Sequence, residues 1–216
     1  MEAVLEFLRQ LTLNNNKAWF DAHRERYKHL RASVVTLAHE VHAGLLEHDS
    51  GLVLCDPAKA VFRINRDVRF SQNKQPYKTN MGFWLSPGAK SAVAAGYYVH
   101  LDPQGSFIAA GIYMPPADAL EKVRREIYYR GADLDQLLNA TPIKKSFGML
   151  EDHRLKTVPR GYDKEHPYMD YLRQKSFVLV QALENEALKQ DRFGHYLAKQ
   201  LAPAVPLVKF INEALE

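Results

Sequence analysis

Residues 96–113 read GYYVHLDPQGSFIAAGIY and contain two β-rich runs separated by a turn signal. The runs, residues 97–101 and 106–113, hold several aromatic and β-branched side chains. Between them, Asp102-Pro103-Gln104-Gly105 is a typical turn sequence. The segment therefore predicts two antiparallel strands joined as a β-hairpin.

The first strand of this hairpin alternates between two kinds of side chain. A period of two places Tyr97, Val99 and Leu101 on one apolar face, which we expect to pack in the core. Tyr98 and His100 fall on the opposite face. His100 is therefore either a half-buried, hydrogen-bonded strand residue or an acid/base group beside Tyr98.

Three further short runs have β character, at residues 61–64, 82–85 and 176–180. The last run could also be a buried helical segment, because five residues do not separate the two patterns. No helical pattern lies between the β-rich runs from residue 61 to residue 113, which disfavours parallel crossover connections. We therefore predict a mainly antiparallel sheet of about four to six strands.

Apolar residues recur at helical spacing on both sides of these strands. The N-terminal pattern predicts a short first helix, a capping break at residues 14–16 and one long amphipathic helix over residues 17–47. A later helix is expected to end at Gly131, and helical pattern returns over residues 185–201 and after Pro206.

Together these patterns predict an α+β fold in a single domain over residues 1–216. A central, mainly antiparallel sheet is packed by a long N-terminal helix and C-terminal helices. A chain of 216 residues with 46% hydrophobic and 25% charged residues can bury a full core. No repeat or linker-like stretch divides it.

The number of cysteines and the length of the apolar runs indicate the cellular compartment and whether a membrane partner is expected. Cys55 is the single cysteine, so no disulfide can form within the chain, and a reducing cytoplasmic setting is expected. The wholly apolar runs are only a few residues long, so no membrane partner is predicted. The N-terminal sequence lacks the pattern of a secretory signal peptide.

Motifs for common chemistries are missing from the sequence. It contains no phosphate-binding P-loop, no glycine pattern for dinucleotides, no serine nucleophile elbow and no spacing typical of a metal site. The sequence therefore predicts no metal, identifies no cofactor and leaves the oligomeric state open.

Positive charge is concentrated in one segment, residues 59–78. This segment has six basic residues and a single acid, whereas the other 196 residues hold 23 basic and 24 acidic side chains. A local excess of this kind favours an anionic partner at one place rather than a basic coat over the whole surface.

Within this segment, residues 61–70 are predicted to form a strand that is followed by a loop from Lys74 to Lys78. Period two would place Arg63, Asp67 and Arg69 on one face and apolar residues, including Phe70, on the other. Guanidinium forks and mobile ammonium groups together suit phosphate, sulfate or dicarboxylate ligands. Arg63, Arg69, Lys74 and Lys78 are therefore candidate ligand-binding residues.

Three interpretations of this charge cluster remain open. Asp67 could pair with Arg63 or Arg69 on a solvated surface, which would be structurally unremarkable. The cations could instead bind an anion without chemistry. In a catalytic site, Asp67 would be an acid/base residue beside the bound anion.

Four blocks of the sequence resemble those of one protein family. They are FLRQLTLNNNKAWFDAHRERY, FRINRDVRFSQNKQPYKTN, GYYVHLDPQGSFIAAGIYMPP and VPRGYDKEHP, the last followed by LRQKSF. In this order they resemble domain of unknown function 2461. The resemblance implies a stand-alone intracellular α+β domain of conserved hypothetical status and provides no catalytic residues or cofactor. It also suggests that Arg160, in the last block, lies near the cationic strand.

We therefore predict a site for a small anionic ligand, phosphate-bearing or dicarboxylate, built from the four cations with Tyr98 and Arg160. If the protein is an enzyme, we expect a hydrolase or transferase with Asp67 or His100 as the acid/base group. One alternative is a nucleic-acid-binding module in which Trp19, Tyr77 or Trp84 stacks on bases. Another is a domain that docks an acidic peptide.

Overall fold

A computed structural model describes residues 1–88, 93–184 and 186–216 of the chain. Its α-helices are α1 (Glu2–Leu13), α2 (Lys17–Ala22), α3 (Arg24–Leu46), α4 (Pro57–Ala60), α5 (Ala117–Asn139), α6 (Thr141–Ser146), α7 (Met169–Leu172), α8 (Phe193–Leu201) and α9 (Val205–Leu215). Its strands are β1 (Met81–Leu85), β2 (Gly96–Leu101), β3 (Ser106–Ile112) and β4 (Phe177–Leu183). The predicted α+β class is confirmed.

The four strands form one antiparallel sheet in the order β1-β2-β3-β4. The hairpin predicted from residues 96–113 is β2 and β3, and the run at residues 176–180 lies in β4. In the central register, Tyr98 pairs with Trp84 on one side and with Ala109 on the other.

One face of the sheet forms the core. Its side chains are fully buried and include the three that the sequence placed there, Tyr97, Val99 and Leu101. Helix α3 contacts β1, and α8 and α9 contact β3. Strand alternation and helical spacing each give an element one apolar face, and these faces are buried by packing the sheet against the amphipathic helices.

The other face, which we call the open face, is only partly covered. Its larger side chains are half-buried: Trp84, Tyr98, His100, Phe107 and Val180. Irregular segments extend the sheet at both edges. Val61 bridges to Phe83 of β1, and Leu150 bridges to Leu179 of β4.

The prediction of one long helix over residues 17–47 is wrong because the helix breaks at His23. His23 has φ −109° and ψ 12°, and its imidazole Nδ1 lies 2.8 Å from the carbonyl oxygen of Trp19. Phe20 and Tyr27 lie on either side of this break. Their rings both pack on that of Phe7 in α1, with centroid separations of 6.5 and 6.1 Å. Tertiary packing on α1 thus overrides a continuous helical pattern.

The helix break that the sequence predicted at Gly131 falls at the preceding residue, Arg130, whose φ of −121° and ψ of 29° are non-helical; beyond this kink α5 continues to Asn139. A Cβ atom at Gly131 would lie 2.3 Å from the ring of Tyr168, so glycine makes room for that ring. The helix predicted over residues 185–201 begins only at Phe193; Asn185 itself lies outside the described residues.

Within the described ranges, no helix combines the length and the apolar character that a membrane span needs.

Candidate functional site

The cationic segment does not form the predicted strand. Its bridges to other residues are limited to Val61 with Phe83 and Asn65 with Tyr77 among the described residues. The chain turns back on itself, since Arg66 N donates to Pro76 O and Lys78 N donates to Ile64 O. Residues 61–78 thus form an irregular hairpin, which we call the basic hairpin. Its tip is residues 67–75.

Because residues 61–78 form a hairpin, the side chains that are buried differ from those that strand alternation predicts. Val61 and Ile64 are both buried although the predicted alternation put them on opposite faces. Phe70, which was predicted to face the core, is 95% exposed at the tip. Strand alternation fails because the hairpin curls away from the sheet after its first residues.

At the tip, Asp67 and Arg69 form a bidentate pair. Arg69 Nε and Nη2 donate to Asp67 Oδ1 and Oδ2 at 2.9 and 2.6 Å. These bonds hold the pKa of the Asp67 carboxyl below its usual value, and both groups are exposed to solvent. The geometry corresponds to the surface ion pair that the sequence left open as one interpretation.

Two further cations, Lys74 at the tip and Arg66 next to it, bind backbone carbonyls of the same hairpin. Lys74 Nζ donates to the carbonyl oxygen of Val68 at 3.1 Å, and Arg66 Nη1 donates to that of Gln75 at 3.2 Å. At the tip, therefore, Asp67 is paired with Arg69, and the Lys74 ammonium has a carbonyl partner within the hairpin.

At the base, Lys78 is in a different environment. Its side chain is half-buried, and Nζ lies 5.3 Å from the ring centre of Phe62. Burial, and then the nearby Arg63 guanidinium, lower the pKa of the Lys78 ammonium. Across residues 1–88, 93–184 and 186–216, no ion pair involves Lys78 or Arg63.

Lys78 lies at the rim of a cavity of about 570 Å³ on the open face, which we call the trough. Aromatic side chains form much of its lining, and small residues of β3 and β4 form its floor. The lining residues are Phe62, Lys78, Trp84, Tyr98, Phe107, Ala109, Ala110, Gly111, Tyr113, Glu151, His153, Val178 and Val180.

Two glycines shape the trough. Gly111 has φ +128°, and a Cβ atom there would lie 1.9 Å from the carbonyl oxygen of Phe177. At Gly82 of β1, a Cβ atom would approach the Tyr98 hydroxyl to 3.0 Å and the Val99 carbonyl oxygen to 2.6 Å. Glycine at residue 82 therefore lets the Tyr98 ring lie across β1.

A chain of polar groups adjoins the trough on β2. The Tyr98 hydroxyl lies 2.8 Å from His100 Nδ1, and His100 Nε2 lies 3.6 Å from Asp102 Oδ2. The nearby carboxylate favours the tautomer with the proton on Nε2, and in that tautomer Nδ1 accepts the hydrogen bond from Tyr98. The His100 ring stacks on Phe107 with centroids 4.5 Å apart, which fixes its orientation.

Burial sets the protonation of these groups. It lowers the pKa of His100, against the opposing effect of Asp102, so the imidazole is neutral at pH 7. Burial, with Asp102, raises the pKa of the Tyr98 hydroxyl, which stays protonated. The neutral imidazole accepts a hydrogen bond from the tyrosine, and the two pKa shifts keep the proton on the Tyr98 oxygen.

The edge beyond β4 supplies residues that the sequence did not single out. Glu151 N donates to Val178 O at 2.9 Å, which aligns this segment with β4. The His153 ring meets Tyr113 at 5.5 Å with an 80° interplanar angle. Phe107 could have been found by alternation in β3, but nothing local in the sequence indicates that Glu151 and His153 reach the sheet.

The predicted site residues therefore separate into groups. Lys78 and Tyr98 line the trough, with His100 hydrogen-bonded to Tyr98 and Arg63 close to Lys78. Asp67, Arg69 and Lys74 lie at the tip and are not among the trough-lining residues.

Arg160 is exposed and does not line the trough. Its loop is held on α5, where the Tyr162 hydroxyl donates to Glu121 at 2.9 Å.

Of the three aromatic residues considered for base stacking, only Trp84 lines the trough. Tyr77 is buried and stacks on Phe20 with centroids 4.0 Å apart. Trp19 packs on Phe7 and stacks on His23. Tyr77 and Trp19 therefore belong to the packing of the N-terminal helices.

Other cavities differ from the trough in the state of their charges. One of about 470 Å³ beside α5 and α9 contains Arg130, which pairs with Asp133 and Glu213. Another of about 590 Å³ contains Arg154, which pairs with Asp152 and Asp170. Each cavity also contains a lysine without an ion pair in the described ranges, Lys209 and Lys144, but both are exposed, whereas Lys78 of the trough is half-buried.

Comparisons with known proteins bear on the family alone. No curated protein and no solved structure matches the chain. The model of one family, described as "Conserved hypothetical protein (DUF2461)", matches residues 3–210. This match covers nearly the whole chain and agrees with the resemblance of the four sequence blocks. The chain belongs to the DUF2461 family.

Proposed function

We propose that the protein binds a small organic anion in the trough. The apolar or aromatic body of the ligand lies on the open face, and its phosphate or carboxylate group binds Lys78 and Arg63. One observation carries this proposal: Lys78 is half-buried at the cavity rim without a carboxylate partner among the described residues.

The electrostatics favour an anion at this position. Burying an ammonium group without a partner is unfavourable, and the neighbouring guanidinium makes it more so. A ligand phosphate or carboxylate would remove both penalties through charge-assisted hydrogen bonds. Arg63 adds a planar donor fork that suits either anion.

The shape of the cavity favours a small organic molecule. A volume of about 570 Å³ lies within the range of about 300–1,000 Å³ that is usual for small-ligand sites. Aromatic rings and small apolar side chains line most of it. Inorganic phosphate alone would leave these apolar contacts unused.

A second candidate function is hydrolysis or transfer at the bound anion. The observation that favours it is the row of Tyr98, His100 and Asp102, in which Tyr98 is hydrogen-bonded to His100 and the His100 imidazole lies 3.6 Å from the Asp102 carboxylate, and which begins at the trough lining. Tyr98 would exchange a proton with the ligand while His100 accepts or returns it. Asp67 is less suited to this role because Arg69 binds it at the exposed tip.

The experiment is a titration followed by Trp84 fluorescence at low salt. Phenyl phosphate is the probe. The controls are inorganic phosphate, which has the anion without the ring, and benzyl alcohol, which has the ring without the anion. We expect phenyl phosphate to bind most tightly, and the Trp84→Phe variant to lose the signal although Trp19 remains.

Two lysine variants make a matched pair in this titration. Lys78→Met should weaken phenyl phosphate binding about tenfold or more, because it removes a charge-assisted contact. Lys74→Met should leave it unchanged. Equal effects of the two substitutions, or no saturable binding, would refute the proposal. Binding of oligonucleotides with a steep salt dependence would favour the nucleic-acid alternative instead.

A further inference from the structure

We propose that the ligand of the trough is elongated and bipolar. Its anionic group binds at Lys78, a cationic group binds Glu151 at the opposite edge of the sheet, and the part between them is apolar. This inference rests on the proposed function, since it assigns the second end of the same ligand.

The first step is the position of the two charges. Lys78 belongs to the basic hairpin, which is joined to β1 by the hydrogen bond from Phe62 N to Gly82 O. Glu151 belongs to the segment beyond β4, joined by its own N–H to Val178 O. Since β1 and β4 are the outer strands of the sheet, the two side chains enter the trough from opposite edges.

The second step is the state of Glu151. No ion pair within the described ranges includes its carboxylate, and its side chain is exposed at the trough. An ionised carboxylate only accepts hydrogen bonds, so its complement is an ammonium or another donor group. His153, which lines the same edge, is a further hydrogen-bonding partner.

The third step is the surface between the charges. Ala109, Val178 and Val180 of the floor have no polar side-chain atoms. β1 and β4 are three strand spacings apart, about 14 Å. A ligand that reaches both charges must therefore extend across the sheet, with an apolar centre over the floor.

A series of ω-amino carboxylates measures this length. The probes are ω-aminododecanoate, ω-aminohexanoate and dodecanoate, which lacks the amine. We expect the wild type to bind ω-aminododecanoate about twofold to fivefold more tightly than dodecanoate, as one exposed ion pair allows. The short ω-aminohexanoate should show no contribution from Glu151 because it cannot span the trough.

Glu151→Gln should remove the advantage of ω-aminododecanoate and leave dodecanoate binding unchanged. Glu47→Gln, which makes the same charge change at the end of α3, should preserve the advantage. Thermal melting of each variant checks that it is folded.

Two failures are distinguishable. Lys78-dependent binding of dodecanoate without any Glu151-dependent gain overturns the bipolar ligand and leaves the proposed anion site standing. If no probe, phenyl phosphate included, binds in a Lys78-dependent manner, both proposals are overturned.

Discussion

At the tip of the basic hairpin, Arg69 and Lys74 bind groups of the hairpin itself, whereas Lys78 at the base has no carboxylate partner in the part of the chain that the structure describes. From the sequence alone these three side chains are equivalent, because all are cations of the same basic segment. The difference teaches that charge density alone does not distinguish these three cations. Partial burial at a cavity does, and the proposed site rests on it.

The largest expected contrast between base and tip is in stability. Gly82→Ala in β1, the strand to which Phe62 of the hairpin is hydrogen-bonded, should lower the free energy of unfolding by about 1–3 kcal/mol, because the new Cβ meets the Val99 carbonyl and the Tyr98 ring. Gln72→Ala at the exposed tip should change it by less than about 0.5 kcal/mol. Chemical denaturation measures both. If Gly82→Ala did not lower the free energy of unfolding, the position of the Tyr98 ring across β1 would not depend on glycine at residue 82.

The next contrast is in ligand access. Val180→Trp should fill the trough floor and weaken phenyl phosphate binding about tenfold or more, because the ring of the ligand loses its space. Phe70→Ser at the tip should leave the affinity unchanged. Isothermal titration calorimetry measures both affinities. An intact affinity in a folded Val180→Trp variant would place the ligand elsewhere.

A smaller effect is expected in the pH dependence of stability. The folded-state pKa of His100 lies below the unfolded value of 6.5, so the unfolded state binds the proton first. Stability should therefore fall as the pH drops from 6.5 towards the folded pKa, and His100→Gln should remove this component.

The tip has a different pH window. The pKa of Asp67 is lowered from 3.8, so its contribution is present above that value and is lost as the pH falls through the folded pKa. Thermal melting between pH 3 and pH 8 separates the two windows. If Asp67→Asn changed the slope near pH 6, or His100→Gln did not, the pKa assignments would be contradicted.

The smallest effect is that of Lys78→Met on stability. Removing a half-buried ammonium that lies next to Arg63 should leave the melting temperature unchanged or raise it slightly. Residues kept for binding often cost stability, whereas residues kept for structure do not. A clear drop in melting temperature would show that Lys78 has a structural role instead.

Much of the fold could be predicted because it follows from local periodicity. The β2–β3 hairpin, its buried Tyr97, Val99 and Leu101, and the antiparallel sheet all follow from alternation and turn residues. The kink of α5 beside Gly131 also follows from the sequence. The break at His23 could not be predicted, because it depends on contacts with Phe7, which is distant in sequence.

The candidate site was predictable only in part. Alternation put Tyr98 beside His100, and charge pointed to Lys78, but charge pointed equally to Arg69 and Lys74. Burial separates them, and burial is a property of the folded chain. Glu151 reaches the trough through a hydrogen bond to Val178, a long-range contact that no local pattern encodes.

The most direct test of the anion site is the pKa of the Lys78 ammonium, measured by NMR with and without phenyl phosphate. In the free protein it should lie below the usual value of 10.5, because of burial and Arg63. Binding of the phosphate should raise it, while the Lys74 ammonium at the tip should not respond. A Lys78 pKa that is indifferent to saturating phenyl phosphate, or that moves no more than that of Lys74, would contradict an anion site at the base of the basic hairpin.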